Sequence, residues 1–309
     1  SGVVYITNEG NFQFGNAAIS LYDKDSKNII EDYYKQVNQV PLGDVCQSMV
    51  YFNNKFYIVV NNSSKVMVVN AATFKIETTI SGFNSPRYFI PVSNSKAYVS
   101  DLYDNRLAIV NLSTNIISGY IPAVAGTEQM KMVYGKVFVS SLFTDKIYVI
   151  NSMTDLLTDS IALAYSPNSI CEDKNGMLWI MCSGDSLKQK PSALVQLNPI
   201  DNQVIKSLYF NGNHAPWRMC MNKQNDTLYF LDRHVWQMSI GDTTLPTTPF
   251  INGNGKLFYA LNVDASNGEI YVSDAIDYLQ HGSIYRYTAS GNLTDQFKAG
   301  IIPGGFCFR

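Results

Sequence analysis

The chain has 309 residues, enough for a large core, with only 16% charged and 13% aromatic residues and a formal net charge of −2. Twenty Tyr and 16 Phe suit β-structure, whose pleated surfaces accept aromatic and β-branched side chains, and the slight negative charge excludes the basic footprint of a nucleic-acid binder. No apolar run approaches the roughly 18 residues that a membrane-spanning helix needs, and the opening SGVVYITNEG has no signal-peptide pattern. Ser1-Gly2 reads as a cloning remnant, so any export signal is expected to have been removed.

In chain order, the first element is a strand, VVYIT, followed by a long polar and aromatic loop, NEGNFQFGN (8–16). Residues 55–80, KFYIVVNNSSKVMVVNAATFKIETTI, read as three short strands separated by turns. The pattern returns in 96–121, KAYVSDLYDNRLAIVNLSTNIISGYI, and in 136–161, KVFVSSLFTDKIYVINSMTDLLTDSI. Between these units lie Pro-rich crossings, SGFNSP or ALAYSP, each leading into a further short apolar strand such as RYFIPV. An aromatic anchor marks each unit: Tyr5, Tyr57, Tyr98, Phe138, Trp179, Tyr229 and Tyr271, spaced 52, 41, 40, 41, 50 and 42 residues apart. Two further loops are enlarged, SGDSLKQKPS (183–192) and DAIDYLQHG (274–282), and one crossing, NGNHAPWR (211–218), is rich in ring-bearing residues.

Strands of four to seven residues, bounded by Asn, Asp, Ser, Gly and Pro and repeating about every 40–45 residues, are the signature of a propeller blade. The expected fold is all-β, a single seven-bladed β-propeller of four-stranded blades spanning 1–309. The chain ends on IIPGGFCFR, whose GGFCF is in register with RYFIPV and NSICED. Residues 304–308 are therefore expected to complete the blade that opens at residue 3, tying the ring and covering a sheet edge.

The repeated segments NSSKVMVVNAAT, DNRLAIVNLST and TDKIYVINSMT resemble the YncE-like seven-bladed propellers. Together with the Asn- and aromatic-rich composition, they also resemble Bacteroidota surface layer proteins, including the BtuG-type cobalamin-binding surface lipoproteins. That resemblance implies an extracytoplasmic, surface-exposed lipoprotein of the outer membrane, a corrinoid as ligand and an outer-membrane transporter as partner. It assigns no ligand contact to a particular residue here. A monomer is expected, with no cofactor and no metal.

In a propeller the blade-to-blade crossings and the loops between second and third strands share one face, where loops from every blade converge on rigid strands. The loops at 8–16 and 274–282 become neighbours once the ring closes, which places Phe12, Phe14, Tyr278 and His281 on one side of the funnel. The 211–218 crossing adds His214, Trp217 and Arg218. Arg87, Tyr88, Tyr103, Gln129, Phe143, Asn168 and Tyr259 occupy corresponding positions in other blades. Tyr, Trp, Phe and Arg with amides can grip a large planar or polar ligand.

Catalytic signals are weak. The three histidines, His214, His234 and His281, would need to converge to hold a metal. The acidic pairs Asp101/Asp104 and Asp274/Asp277, with Asp232, fit turn capping better than acid–base work. Five cysteines form no close-spaced pair, and Cys46, Cys171, Cys220 and Cys307 fit small buried positions. Aspartate boxes, a nucleophile elbow and a P-loop are all missing from the sequence. A non-catalytic binding propeller is the leading expectation; a metal-dependent lyase or hydrolase on the same face, and a protein–protein scaffold in the cell envelope, are the alternatives.

Overall fold

The computed structural model describes residues 2–309; Ser1, expected from the sequence to belong to a cloning remnant, lies outside the described residues. Seven antiparallel sheets form the blades of a β-propeller. Blade 1 runs outward from Pro303–Phe308 through Val3–Asn8 and Ala18–Asp23 to Ile29–Ile30. The inner strands of blades 2 to 7 are Cys46–Phe52, Pro86–Pro91, Thr127–Val133, Pro167–Glu172, Trp217–Met221 and Phe258–Val263, each followed outward by its own strands in sequence order. Every inner strand packs beside those of the two adjacent blades, and Pro303–Phe308 lies between Phe258–Val263 and Cys46–Phe52, so the ring is closed.

Closure occurs as the sequence indicates. The last strand pairs with the first in the register Val4↔Phe308, Tyr5↔Cys307, Ile6↔Phe306 and Thr7↔Gly305. Reciprocal backbone bonds between Val3 and Arg309, 2.8 and 3.0 Å, finish the ladder.

The core is layered rather than central. Seven clusters of buried apolar residues each lie between two adjacent blades. Between blades 2 and 3, for example, Tyr57, Val59, Val66 and Val68 meet Phe89, Val99, Ala108 and Val110. All seven anchor aromatics are buried, from 0 to 5% exposed, which is why the period is so legible in the sequence. The recurring V-N-x-x-T turn also has a local cause. The Asn side chain accepts from the backbone N–H groups two and three residues on, Asn111 from Ser113 and Thr114, and Asn151 from Met153 and Thr154.

Two departures from regularity bear on function. The first unit is long because a short helix, Tyr33–Asn38, lies between blades 1 and 2, capped by the Asp32 carboxylate on the Lys35 N–H at 3.1 Å. Blade 6 has three strands, Trp217–Met221, Thr227–Asp232 and His234–Ser239. Where the other blades carry a fourth, it has a single bridge, Val235 to Ile251.

Candidate functional site

At one end of the channel, every inner strand breaks register with its neighbour at its second residue. The irregularities fall between Cys46 and Ser48, Pro86 and Phe89, Thr127 and Met130, Pro167 and Ser169, Trp217 and Cys220, and Phe258 and Leu261, and opposite Gly304 in the closing strand. A bulge bends its strand and re-aims one side chain. The seven residues concerned are Gln47, Arg87, Glu128, Asn168, Arg218, Tyr259 and Gly304.

Their side chains form a polar ring. Arg87, on blade 3, donates from Nε to Glu128 on blade 4 and from Nη1 to Gln47 Oε1 on blade 2 at 2.5 Å. Arg218, on blade 6, donates from Nη1 to the Tyr88 hydroxyl on blade 3 at 2.9 Å and places Nη2 3.8 Å from Glu9. The Tyr259 hydroxyl lies 3.1 Å from both Glu9 oxygens. Glu9 belongs to the loop after Val3–Asn8 and enters the ring where Gly304 has no side chain: a Cβ on Gly304 would sit 2.7 Å from Glu9 Oε1. Asn168 is held by Ser183 Oγ at 2.6 Å and by the Pro216 carbonyl. The side-chain Oε1 of Gln129 accepts from the Ile170 N–H at 3.2 Å, beside the ring. A channel cavity of about 190 Å³ is lined by Gln47, Tyr88, Gln129 and Arg218 among others.

Two guanidinium groups and two carboxylates balance in formal charge, but burial is costly for each. Burial pushes the Glu9 carboxyl above its ordinary range, although Arg218, Tyr259 and Arg87 counteract it. Burial works against the Arg218 charge, yet Tyr88, Tyr259 and Glu9 outweigh it and the guanidinium holds its proton more tightly than usual. Arg218 Nε is buried without a hydrogen-bond partner, and the residue's backbone has φ of +52°, so the ring retains both polar capacity and strain.

Above the ring stands an aromatic rim. Tyr278 packs edge-on against Tyr259 with centroids 5.7 Å apart, and Trp217 does the same from the other side at 4.9 Å. Phe12, Phe14, Tyr103 and Phe143 are 61, 77, 64 and 49% exposed on loops of the same end. The 8–16 and 274–282 loops meet directly, Asn11 Nδ2 donating to the Tyr278 carbonyl at 2.7 Å. Leu187 and Leu279, not singled out from the sequence, are exposed on the enlarged loops as well.

Twelve of the fourteen predicted site residues thus lie in the ring or its rim. His214 and His281 do not. His214 pairs with Asp232 on the flank of blade 6, and His281 Nδ1 lies 3.0 Å from the Ala299 carbonyl and 3.5 Å from Glu31, on the outer part of the molecule. His234 Nδ1 accepts from the Gly253 N–H, so the three histidines stand apart from one another. Among the described residues no three His, Cys, Asp or Glu side chains are grouped to hold a metal ion. The acidic pairs cap loops: Asp101 accepts from the N–H groups of Asn84, Ser85, Tyr103 and Asp104, and Asp274 from Leu257 and Ile276. Burial raises all five thiols, Cys171 to about 12 and Cys307 to about 11, so they are protonated packing groups. The ring members missed from the sequence are Gln47, Glu128 and Glu9. Gln47 and Glu128 were signalled by their place, one residue into an inner strand; Glu9 was hidden, because it substitutes for a glycine elsewhere in the chain.

Solved structures with this fold include a Quinonprotein alcohol dehydrogenase-like protein from Bacteroides thetaiotaomicron, 15% identical with a TM-score of 0.79, the match covering 99% of this chain and 78% of that one. A protein of unknown function from Bacteroides caccae is 14% identical with a TM-score of 0.58, covering 99% and 98%. The extracellular domain of a putative one-component system from B. thetaiotaomicron is 13% identical with a TM-score of 0.68, covering 97% of this chain and 46% of that one. At these identities the likeness shows the fold alone. No curated protein sequence matches the chain. No helix among the described residues is long and apolar enough to cross a membrane. The family described as "Domain of unknown function (DUF5074)" matches residues 2–300, nearly the whole ring, and the chain belongs to that family.

Proposed function

We propose that this protein is a non-catalytic, extracytoplasmic binding propeller that captures a large amphipathic ligand at the ringed end of its channel. The observation that carries this reading is the pairing of exposed aromatic side chains from several blades with a buried ring of amides, guanidinium groups and carboxylates beneath them. Aromatic faces supply contact area at low conformational cost, and the fixed polar groups below give orientation. The ring is held by bonds between blades rather than within one loop, so it is organised before any ligand arrives.

A corrinoid is the specific candidate: its flat macrocycle suits the rim and its peripheral amides suit Gln47, Arg87 and Asn168. In this reading the protein is a surface lipoprotein of the outer membrane that passes its ligand to a transporter. Titration calorimetry with cobalamin and with cobinamide tests it. Saturable binding at micromolar protein is expected, weakened by roughly tenfold or more in Trp217→Ala and in the double variant Tyr103→Ala/Tyr278→Ala. No heat with either corrinoid overturns the ligand assignment. Binding that all these variants leave unchanged overturns the placement of the site.

A further inference from the structure

The missing fourth strand of blade 6 leaves a second cavity, remote in character from the polar ring. After Ser239 the chain turns, Ser239 N–H donating to Asp242 Oδ2 at 2.9 Å, and runs as an irregular segment before returning at Ile251 to bridge Val235. A cavity of about 470 Å³ stands beside this segment and the outer strand of blade 5, Gln203–Tyr209. Its walls include Phe210, Trp236, Leu245 and Pro246, and its polar groups include His214 and Asp232. The volume is that of a small-molecule site, and the lining is mixed: aromatic and aliphatic groups share it with Ser207, Asn211, Thr243, Thr244 and Thr247.

The polar groups are ordered. Asp232 Oδ2 is hydrogen-bonded to His214 Nδ1, and the Asp232 carbonyl accepts the Trp236 indole N–H at 3.0 Å. The connection from Asp232 to His234 is a single residue, Arg233 at φ +60°, so the loop that is enlarged in blades 1, 5 and 7 is minimal here. A carboxylate at Nδ1 keeps the proton of a neutral imidazole on that nitrogen and leaves Nε2 as an acceptor. No group among the described residues bonds Nε2. Phe210 lies beside the imidazole, ring centroids 5.7 Å apart. No Lys or Arg lines the cavity, and Asp232 is a carboxylate, so the site does not suit an anion.

We propose that this slot is a second binding site, for a flat aromatic molecule bearing a hydroxyl group. Its ring lies against Phe210 and Trp236, and its hydroxyl donates to Nε2 of His214. The site is independent of the channel mouth, shares none of its residues, and holds its ligand by one directed hydrogen bond between aromatic side chains.

The test uses 2-naphthol and naphthalene as an isosteric pair, with ligand-observed NMR for affinity and the Trp236 indole N–H resonance, assigned with Trp236→Phe, for location. The expected result is saturable binding of 2-naphthol that shifts the Trp236 resonance, at roughly tenfold higher affinity than naphthalene, the worth of one hydrogen bond. In His214→Ala the two ligands are expected to bind equally. Absence of saturable 2-naphthol binding, equal affinities in the native protein, or an unmoved Trp236 resonance would each overturn the proposal. The first two comparisons use only the native chain, so they stand even if His214→Ala fails to fold.

Discussion

Arg218 on blade 6 reaches across the channel to Tyr88 on blade 3, its Nη1 2.9 Å from the phenol oxygen, while its Nη2 faces Glu9. One side chain thereby joins blades separated by 130 residues of sequence. Removing it leaves a buried carboxyl facing an unfilled space. Arg218→Ala is expected to cost about 2–3 kcal/mol, less than a tight buried pair because the Arg218–Glu9 approach is long. Adding Glu9→Gln should recover part of that loss, since coupled neighbours do not add. Denaturant melts of the two single variants and the double variant give the answer; strictly additive losses would separate the residues.

The raised carboxyl of Glu9 makes stability depend on pH in a defined direction. Its folded pKa lies above the ordinary 4.5, so folding favours the protonated form. The associated stability is fully present below 4.5 and is lost as pH rises through the folded value. Glu9→Gln has no such titration. Melting temperatures from about pH 4 upward should fall in the native protein relative to the variant; parallel curves would show that Glu9 ionises normally.

Gly304 holds the place that Glu9 enters, without a Cβ 2.7 Å from the carboxylate. Gly304→Ala is expected to displace Glu9 from the Tyr259 hydroxyl and to destabilise the ring by about 1–3 kcal/mol. It should also abolish the pH dependence just described. Combining it with Glu9→Ala removes the clash, and the double variant should be more stable than Gly304→Ala alone. Thermal melts of the pair decide this.

The thiols give a simpler expectation. All five are free and raised by burial. A thiol reagent at neutral pH should leave Cys46, Cys182 and Cys220 unmodified in the native protein and react slowly at Cys171 and Cys307, while all five react after unfolding. Fast reaction at any one in the native state would mark a local opening of its blade.

The ring architecture was legible because the blade interfaces impose the same burial on the same positions seven times, from Tyr5 to Tyr271. Repetition turns a weak local pattern into a strong one. The site was legible only where it uses large side chains. Trp217, Arg218 and Tyr259 stood out, whereas Gln47 and Glu128 have ordinary polar side chains whose importance comes from a bulge that no single unit announces. His214 and His281 were misplaced because their direction depends on how a crossing and a strand end leave the sheet. In blade 6 that direction follows from a strand that is not there.

The bulged positions give the fold a particular kind of versatility. Six of the seven inner strands present one side chain to a common centre and the seventh, at Gly304, leaves room for Glu9, while the layers between blades are built from other residues. The channel mouth is in effect a seven-letter word written on a frame that does not read it. One letter in seven, or a glycine that admits a letter from elsewhere as Gly304 does, is enough to change what the word says.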